Sequence, residues 1–462
     1  MRINRELKPM DLEERIRDLW ILSAKKIRSV RDHYKEEAGS PVFTSQGRYT
    51  TRGWTEWTQG FQFGSAILQF DADDQNEFLN YGRRSTLLHM APHLTHTGVH
   101  DHGFNNLSTY GNLLRLMEEG RIPFNEWEKQ YYVLALKVSA SVQALRWTQI
   151  EKGGYIYSFN GPHSLFVDTL RTCRILGVGH QLGHRLLAEN DTEISLLGRL
   201  VEHAGTTAAY SVFYGEGRDI YDVRGRTAHE SIFNINDGNF RCVNTQQGYS
   251  GNSTWTRGLA WAMLGFSELL EFLESLPEQD LELWGSKKEI GQTWLKAARA
   301  TCDFYIQNTP LDGIPYWDTG APGLARMGNY LDKNSDPYND LEPVDSSAAA
   351  IGAQGLLRLG KYLMAQGKGD DGPSYFQAGL TLASNLFDDP YLSREETHQG
   401  LILHSIYHRP MGWDHIPEGS VIPRGESSMW GDYHARELAL YLQRIIRKES
   451  YPTFFLKERA HE

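Results

Sequence analysis

One hydrophobic period recurs along almost the whole chain, and it is the period of a helix. From Leu12, the positions Leu12, Ile16, Leu19, Trp20, Ser23, Ile27 and Val30 advance by threes and fours, tracing one face of an amphipathic α-helix. In "VDSSAAAIGAQGLLRLGKYLMAQ", Ala349, Ala353, Leu356, Leu357, Gly360 and Leu363 make a second face, with Asp345 or Ser346 available as N-cap. Similar segments lie near residues 74–92, 105–119, 124–149, 163–188, 192–209, 255–275, 286–306, 373–387 and 432–447. Strand signals are sparse: "YIYSF" and the 210–245 region suit short hairpins, and no alternation of strands with helices supports a parallel sheet. The expectation is an all-α chain of close to a dozen helices.

The stretches between helices are long at 210–254, 307–343 and 388–431, and they are dense in Trp, Tyr, His, Asp and Gly. Loops of that kind on a rigid scaffold usually build a site. No Pro-rich linker, low-complexity tract or tight repeat divides the 462 residues, so residues 1–462 read as a single domain. A hydrophobic share of 40% is enough for a large core.

Charge narrows the partners. A net charge of −11 argues against nucleic acid or an anionic membrane as the main partner, because both need clustered Lys and Arg. An acidic substrate would have to be met by locally placed cations. Cys173, Cys242 and Cys302 are too scattered for a disulfide framework or a cysteine-based zinc site. The first residues are charged throughout and no segment is apolar enough to span a bilayer, so the expected location is cytoplasmic, or periplasmic if a leader precedes this sequence.

Five histidines crowd "LLHMAPHLTHTGVHDHGF": His89, His93, His96, His100 and His102. His89 and His93 have the spacing of a helical zinc pair, but Met90 and Ala91 occupy the place of the general base and Pro92 interrupts the helix. The histidines therefore read as hydrogen-bonded in a crowded loop, and no metal is expected. Asp168 in "FVDTLRTC" lies near a helix start among apolar neighbours, where burial would raise its pKa toward that of a neutral-pH general acid. The same position suits a first-turn acid favoured by the helix dipole.

In "QQGYSGNSTWTRGLAW", Trp255 and Trp261 offer flat faces to a sugar and Arg257 a planar fork to a carboxylate, although any single Trp is equally at home in a core. The loops "PYWDTGAPG" and "EPVDSSAAA" add Tyr316, Trp317, Asp318 and Asp345. No nucleotide-binding, nucleophile-elbow or kinase motif stands in a convincing context, and no cofactor is implied.

Taken in order, "WTQGFQFG", "HDHGF", "FVDTL", "EHAGTT", "QQGYSGNSTWTRGLAW", "PYWDTGAPG", "DSSAAA" and "WGDYH" resemble the unsaturated glucuronyl hydrolases of glycoside hydrolase family 88, over residues 50–440 or so. The resemblance implies an (α/α)6 barrel whose long loops form a pocket at one end. It also implies a substrate: an oligosaccharide made by a polysaccharide lyase, ending in a 4,5-unsaturated uronic acid whose double bond is hydrated. By motif, Asp168 matches the acid/base and Asp101 the paired aspartate, with His100 as its support. His203 and Gln247 match positions around the substrate hydroxyls and the water, and Trp57, Trp255, Arg257 and Trp261 match sugar-binding positions, Arg257 facing the substrate carboxylate.

The chain departs from the pattern in four places: Gln246 replaces an expected His, Phe159 an expected Trp, the 204–245 segment is long, and the loop before "WGDYH" carries "WDHIPEGSVIPRGESSMW". These departures bear on the aglycone and sulfation preference. The alternatives are the family 105 type of unsaturated rhamnogalacturonyl hydrolase and a noncatalytic sugar-binding (α/α) barrel. Retention of both Asp101 and Asp168 argues against the second.

Overall fold

The computed structural model describes residues 1–33, 39–53, 56–367 and 371–455. Helices dominate: α1 (Glu13–His33), α2 (Gln59–Asp73), α3 (Asn76–His89), α4 (Ala91–Leu94), α5 (His102–Asn106), α6 (Asn112–Glu118), α7 (Glu126–Leu145), α8 (Thr169–Thr172), α9 (Arg174–Gln181), α10 (Leu196–Tyr210), α11 (Thr256–Glu274), α12 (Lys287–Asn308), α13 (Ser346–Gln366), α14 (Gly372–Leu386) and α15 (Met429–Ile446). A π-helical turn, Leu107–Gly111, joins α5 to α6. Short antiparallel strands fill some loops: β1 (Pro41–Ser45), β2 (Arg48–Thr51), β3 (Trp147–Gln149), β4 (Gly154–Ile156), β5 (Ser164–Phe166), β6 (Leu186–Leu187), β7 (Glu193–Ile194), β8 (Glu230–Phe233) and β9 (Phe240–Asn244).

Burial sorts the helices into two rings. The helices α2, α11, α13 and α15 are buried on nearly every side, whereas α1, α3, α7 and α12 bury one stripe and expose the other. Contacts among the inner elements close on themselves, from α2 through the α5–π–α6 segment to α8, then α11, α13, α15 and back to α2. Pairing each inner element with the outer helix before it in the chain gives six hairpins, the (α/α)6 barrel. Buried at nearly every position, α2 is missing from the segments that periodicity picks out, whereas α11, α13 and α15, equally buried, are among them.

The segment expected as one helix over 163–188 is instead β5 followed by α8 and α9. Its start is drawn out by sheet pairing: β5 pairs with β8, which pairs with β9. The 204–245 segment thus supplies the central and one edge strand of a sheet beside Asp168. At the other end of α8, Arg171 joins Glu268 of α11 at 3.1 Å and Glu437 of α15 at 2.8 Å, while Arg174 of α9 reaches Glu268 at 3.0 Å. All four side chains are buried, and removing one would strand its partner's charge in the barrel interior. The network fixes α8, and with it the position of Asp168. Asp345 caps α13 by accepting from the Ser347 amide at 3.1 Å, as its sequence position suggests.

Candidate active site

At one end of the barrel the loops enclose a cavity of about 380 Å³, near the low end of the roughly 300–1,000 Å³ usual for small-molecule sites. Asp101, Asp168, His100, Trp57, Phe159, Gln247, Trp255, Arg257 and Trp261 all line it.

The two aspartates come from the starts of two short helices, Asp101 before α5 and Asp168 before α8. What brings them together is a backbone contact. The Gly103 amide donates to Thr172 Oγ1 at 2.8 Å, and that hydroxyl donates to the His100 carbonyl at 3.1 Å. A Cβ on Gly103 would sit 1.9 Å from the Thr172 carbonyl oxygen, so only glycine permits the approach. Arg146 fastens the same loop from the other side, donating to the carbonyls of Thr97 and, at 2.7 Å, Ser158.

His100 stands between the carboxyl groups, with Nε2 3.3 Å from Asp168 Oδ2 and 3.8 Å from Asp101 Oδ1. One ligating atom from each of the three lies within 4.8 Å of the others, and all three residues are buried. Burial alone would raise both carboxyl pKa values. For Asp101 it prevails, aided by the charge of Asp168, and its pKa is raised. For Asp168 the hydrogen bond and charge of His100, with help from His229, outweigh burial and hold the pKa below the ordinary value. The expectation that burial would raise Asp168 is therefore corrected: the raised acid is Asp101. Burial opposes protonation of His100, but the two carboxylates overcome it and raise its pKa. His100 lies close to both carboxyl groups, so the three titrate as a set.

The trio could in principle hold a metal ion, since it offers one nitrogen and two oxygen ligands. The hydrogen bond from His100 to Asp168 employs the nitrogen such an ion would need. Two of the remaining histidines of the cluster serve as supports. His93 bonds Gln59 Oε1 at 2.9 Å, and His102 bonds Ser139 Oγ at 3.0 Å and the His96 carbonyl at 2.8 Å. Burial lowers the pKa of each to about 4, so both are neutral.

His203 does not line the cavity. It sits on α10 of the outer ring, its Nδ1 accepting from the Ile156 amide at 3.1 Å, and burial lowers its pKa to about 3. The imidazole that flanks the pair is His229, which sequence reasoning missed. Its Nε2 lies 3.8 Å from Asp168 Oδ1, and its ring rests between Phe166 and Trp255 at 4.4 and 4.5 Å. The amides of Gln246 and Gln247 donate to its Nδ1 at 3.0 and 3.3 Å, which leaves the proton on Nε2, facing Asp168. Its one sequence signal was a histidine opening a strand inside the long 204–245 segment.

Arg257 is more committed than its motif suggests. Nη1 donates to Asp345 and the Ile406 carbonyl, and Nη2 to Gln247 Oε1 at 2.7 Å and the Tyr407 carbonyl at 2.8 Å. Four of five N–H groups are thus spent within the protein, leaving Nε–H for a ligand. The expected fork toward a substrate carboxylate is not available. Trp255 and Trp261 are 4% and 2% exposed, so they offer the cavity little surface; the half-buried Trp57, stacked on Trp430 at 5.0 Å, has more to offer a sugar.

At one end of a helical barrel, two buried carboxyl groups thus converge in an aromatic pocket, an arrangement suited to acid/base chemistry on a sugar. The chain is a relative of the unsaturated glucuronyl hydrolases grouped as glycoside hydrolase family 88. It is 24% identical to the unsaturated glucuronyl hydrolase of Formosa agariphila over 398 residues, 85% of this chain and 81% of that one. The unsaturated chondroitin disaccharide hydrolase of Streptococcus pneumoniae is 24% identical over 426 residues, 90% of this chain and 87% of that one. Among solved structures, an unsaturated glucuronyl hydrolase variant with dGlcA-Glc-Rha-Glc has a TM-score of 0.71 at 21% identity, covering 97% of this chain and 100% of its own, and shows the shared fold. No protein-family model matches the chain.

Proposed function

We propose that the protein removes a 4,5-unsaturated uronic acid from the nonreducing end of lyase-generated oligosaccharides by hydrating the C4=C5 bond. The observation that carries this reading is the convergence of Asp101, Asp168 and His100 at the floor of the aromatic pocket. Hydration needs one group to give a proton to C4 and take one from the water that attacks C5, and it consumes no proton overall.

Asp168, held ionised in the free protein, suits the base that takes the proton of water. The proton for C4 comes from the shared set, where His100 touches Asp168 and lies close to Asp101. Bringing the substrate's own carboxylate into a buried site that already holds two acids favours the protonated form of the set, so binding itself loads the acid. The C5 hemiketal that results opens and releases the neighbouring sugar. The names of the curated relatives all refer to unsaturated glucuronyl or chondroitin substrates, and none favours the rhamnogalacturonyl alternative. The test is loss of the ultraviolet absorbance of the unsaturated uronide on adding the protein. Persistence of that absorbance with every lyase-derived disaccharide would overturn the reading.

A further inference from the structure

The outer helix α7 turns one face inward and buries Tyr132, Leu136 and Gln143 there. A surface helix normally carries polar residues on its opposite face. Here that face holds Trp127, Tyr131, Leu134 and Leu145, exposed by 86%, 38%, 59% and 58%, with the half-buried Val138 among them. Phe124, 64% exposed, stands just ahead of the helix. Among the described residues Trp127 is the most exposed aromatic.

The spacing of these residues fits a second helix. Trp127, Tyr131, Leu134 and Val138 advance by four, three and four, and Leu145 follows one heptad after Val138. A mean step near 3.5 residues keeps an apolar line along the helix, the pattern of a helix laid beside another. With aromatic side chains of about 150–250 Å² each, Phe124, Trp127 and Tyr131 together expose on the order of 400 Å². That is half of the roughly 800 Å² that each partner gives to a standard interface, before Leu134, Leu145 and the polar flanks are added.

Charge fits the same helix in another copy of the chain. Glu126 and Lys137 are about three turns apart, so they stand on one edge of the apolar line. Laid antiparallel about a two-fold axis between Tyr131 and Tyr132, each copy's Glu126 meets Lys137 of the other. The same register seats Trp127 of each copy between Leu134 and Val138 of the facing helix, brings the two Tyr131 rings side by side and opposes the helix dipoles.

We propose that the protein forms a dimer in solution through the outer face of α7, the two helices antiparallel about a two-fold axis. None of these residues lines the catalytic cavity.

Sedimentation velocity of the wild type, L134D, E126K, K137E and E126K/K137E tests this, with thermal unfolding as the check that each variant folds. At roughly 10 µM, above the micromolar bound of interfaces this size, the wild type should sediment at twice the mass of the chain and folded L134D at the mass of one. E126K and K137E should each weaken association at least about tenfold, and the double variant, which exchanges the two signs, should restore it. A wild type that stays monomeric overturns the proposal and leaves the face to a different occupant. A dimer that folded L134D retains places the interface elsewhere and overturns it too, while a double variant as weak as the single ones overturns the antiparallel pairing.

Discussion

Gly103 and Thr172 are pressed together so closely that the first has no room for a side chain: a Cβ would stand 1.9 Å from the second's carbonyl oxygen. Gly103 follows Asp101 by two residues and Thr172 follows Asp168 by four, so this contact sets the distance between the two acids. G103A should force the helix starts apart, cost at least about 1–3 kcal/mol as overpacking does, and lower kcat/KM sharply. Chemical denaturation and the absorbance assay check both effects. Wild-type stability and activity in this variant would remove the contact from the account.

The two aspartates should respond in opposite ways to neutralisation. Asp101 has a raised pKa, so above its titration its charge weakens the fold; Asp168 has a lowered pKa, so its charge strengthens the fold at neutral pH and this contribution is lost as pH falls through the lowered value. At pH 7, D101N should therefore resist denaturant better than D168N. Both should lose activity, D168N by the roughly 10²–10⁴-fold typical of a missing acid/base group. Urea titrations of the two variants at pH 5 and pH 7 measure the difference.

His100 holds Asp168 low, against the pull of burial. In H100N burial acts less opposed, and the acidic limb of the kcat/KM profile should move to higher pH. The raised pKa of His100 also means that its stabilising contribution is complete below the ordinary value of 6.5 and is lost as pH rises through the raised one. That loss should vanish in H100N. A pH profile of rate and of unfolding midpoint tests the pair of statements, and an unmoved acidic limb would contradict the first.

Arg257 and Asp345 are both buried, at 2% and 0% exposure, and bonded at 3.2 Å. R257A leaves the Asp345 carboxylate without its cation and should cost about 3–5 kcal/mol. The double variant R257A/D345N should recover part of that. A thermal melt that shows R257A as stable as the wild type would mean the arginine is held for the ligand alone.

Periodicity picks out helices of both rings, the inner α11, α13 and α15 among them. Outer helices such as α1, α7 and α12 advertise themselves by an apolar stripe, because one side meets water. The inner α2 is not among the segments picked out, and the segment 163–188 departs from the helix expected of it because pairing with β8, more than sixty residues away, draws its first residues into a strand. Asp101 and Asp168 could be found from motif and neighbours. Their opposite pKa shifts could not, since these depend on which carboxylate His100 bonds. The motif "EHAGTT" points to His203, but the helix carrying it belongs to the outer ring; the histidine that reaches Asp168 is His229, which opens a strand with no local signature.

The central claim is that Asp101 and Asp168 direct water to C5 of an unsaturated uronide and a proton to C4. Reaction in D2O and, separately, in H2 18O, followed by NMR and mass spectrometry of the released uronic acid, tests this most directly. The account predicts deuterium at C4, 18O entering at C5 and disappearance of the double bond, all abolished in D168N. A product that keeps its double bond and carries 18O at the anomeric carbon would contradict it.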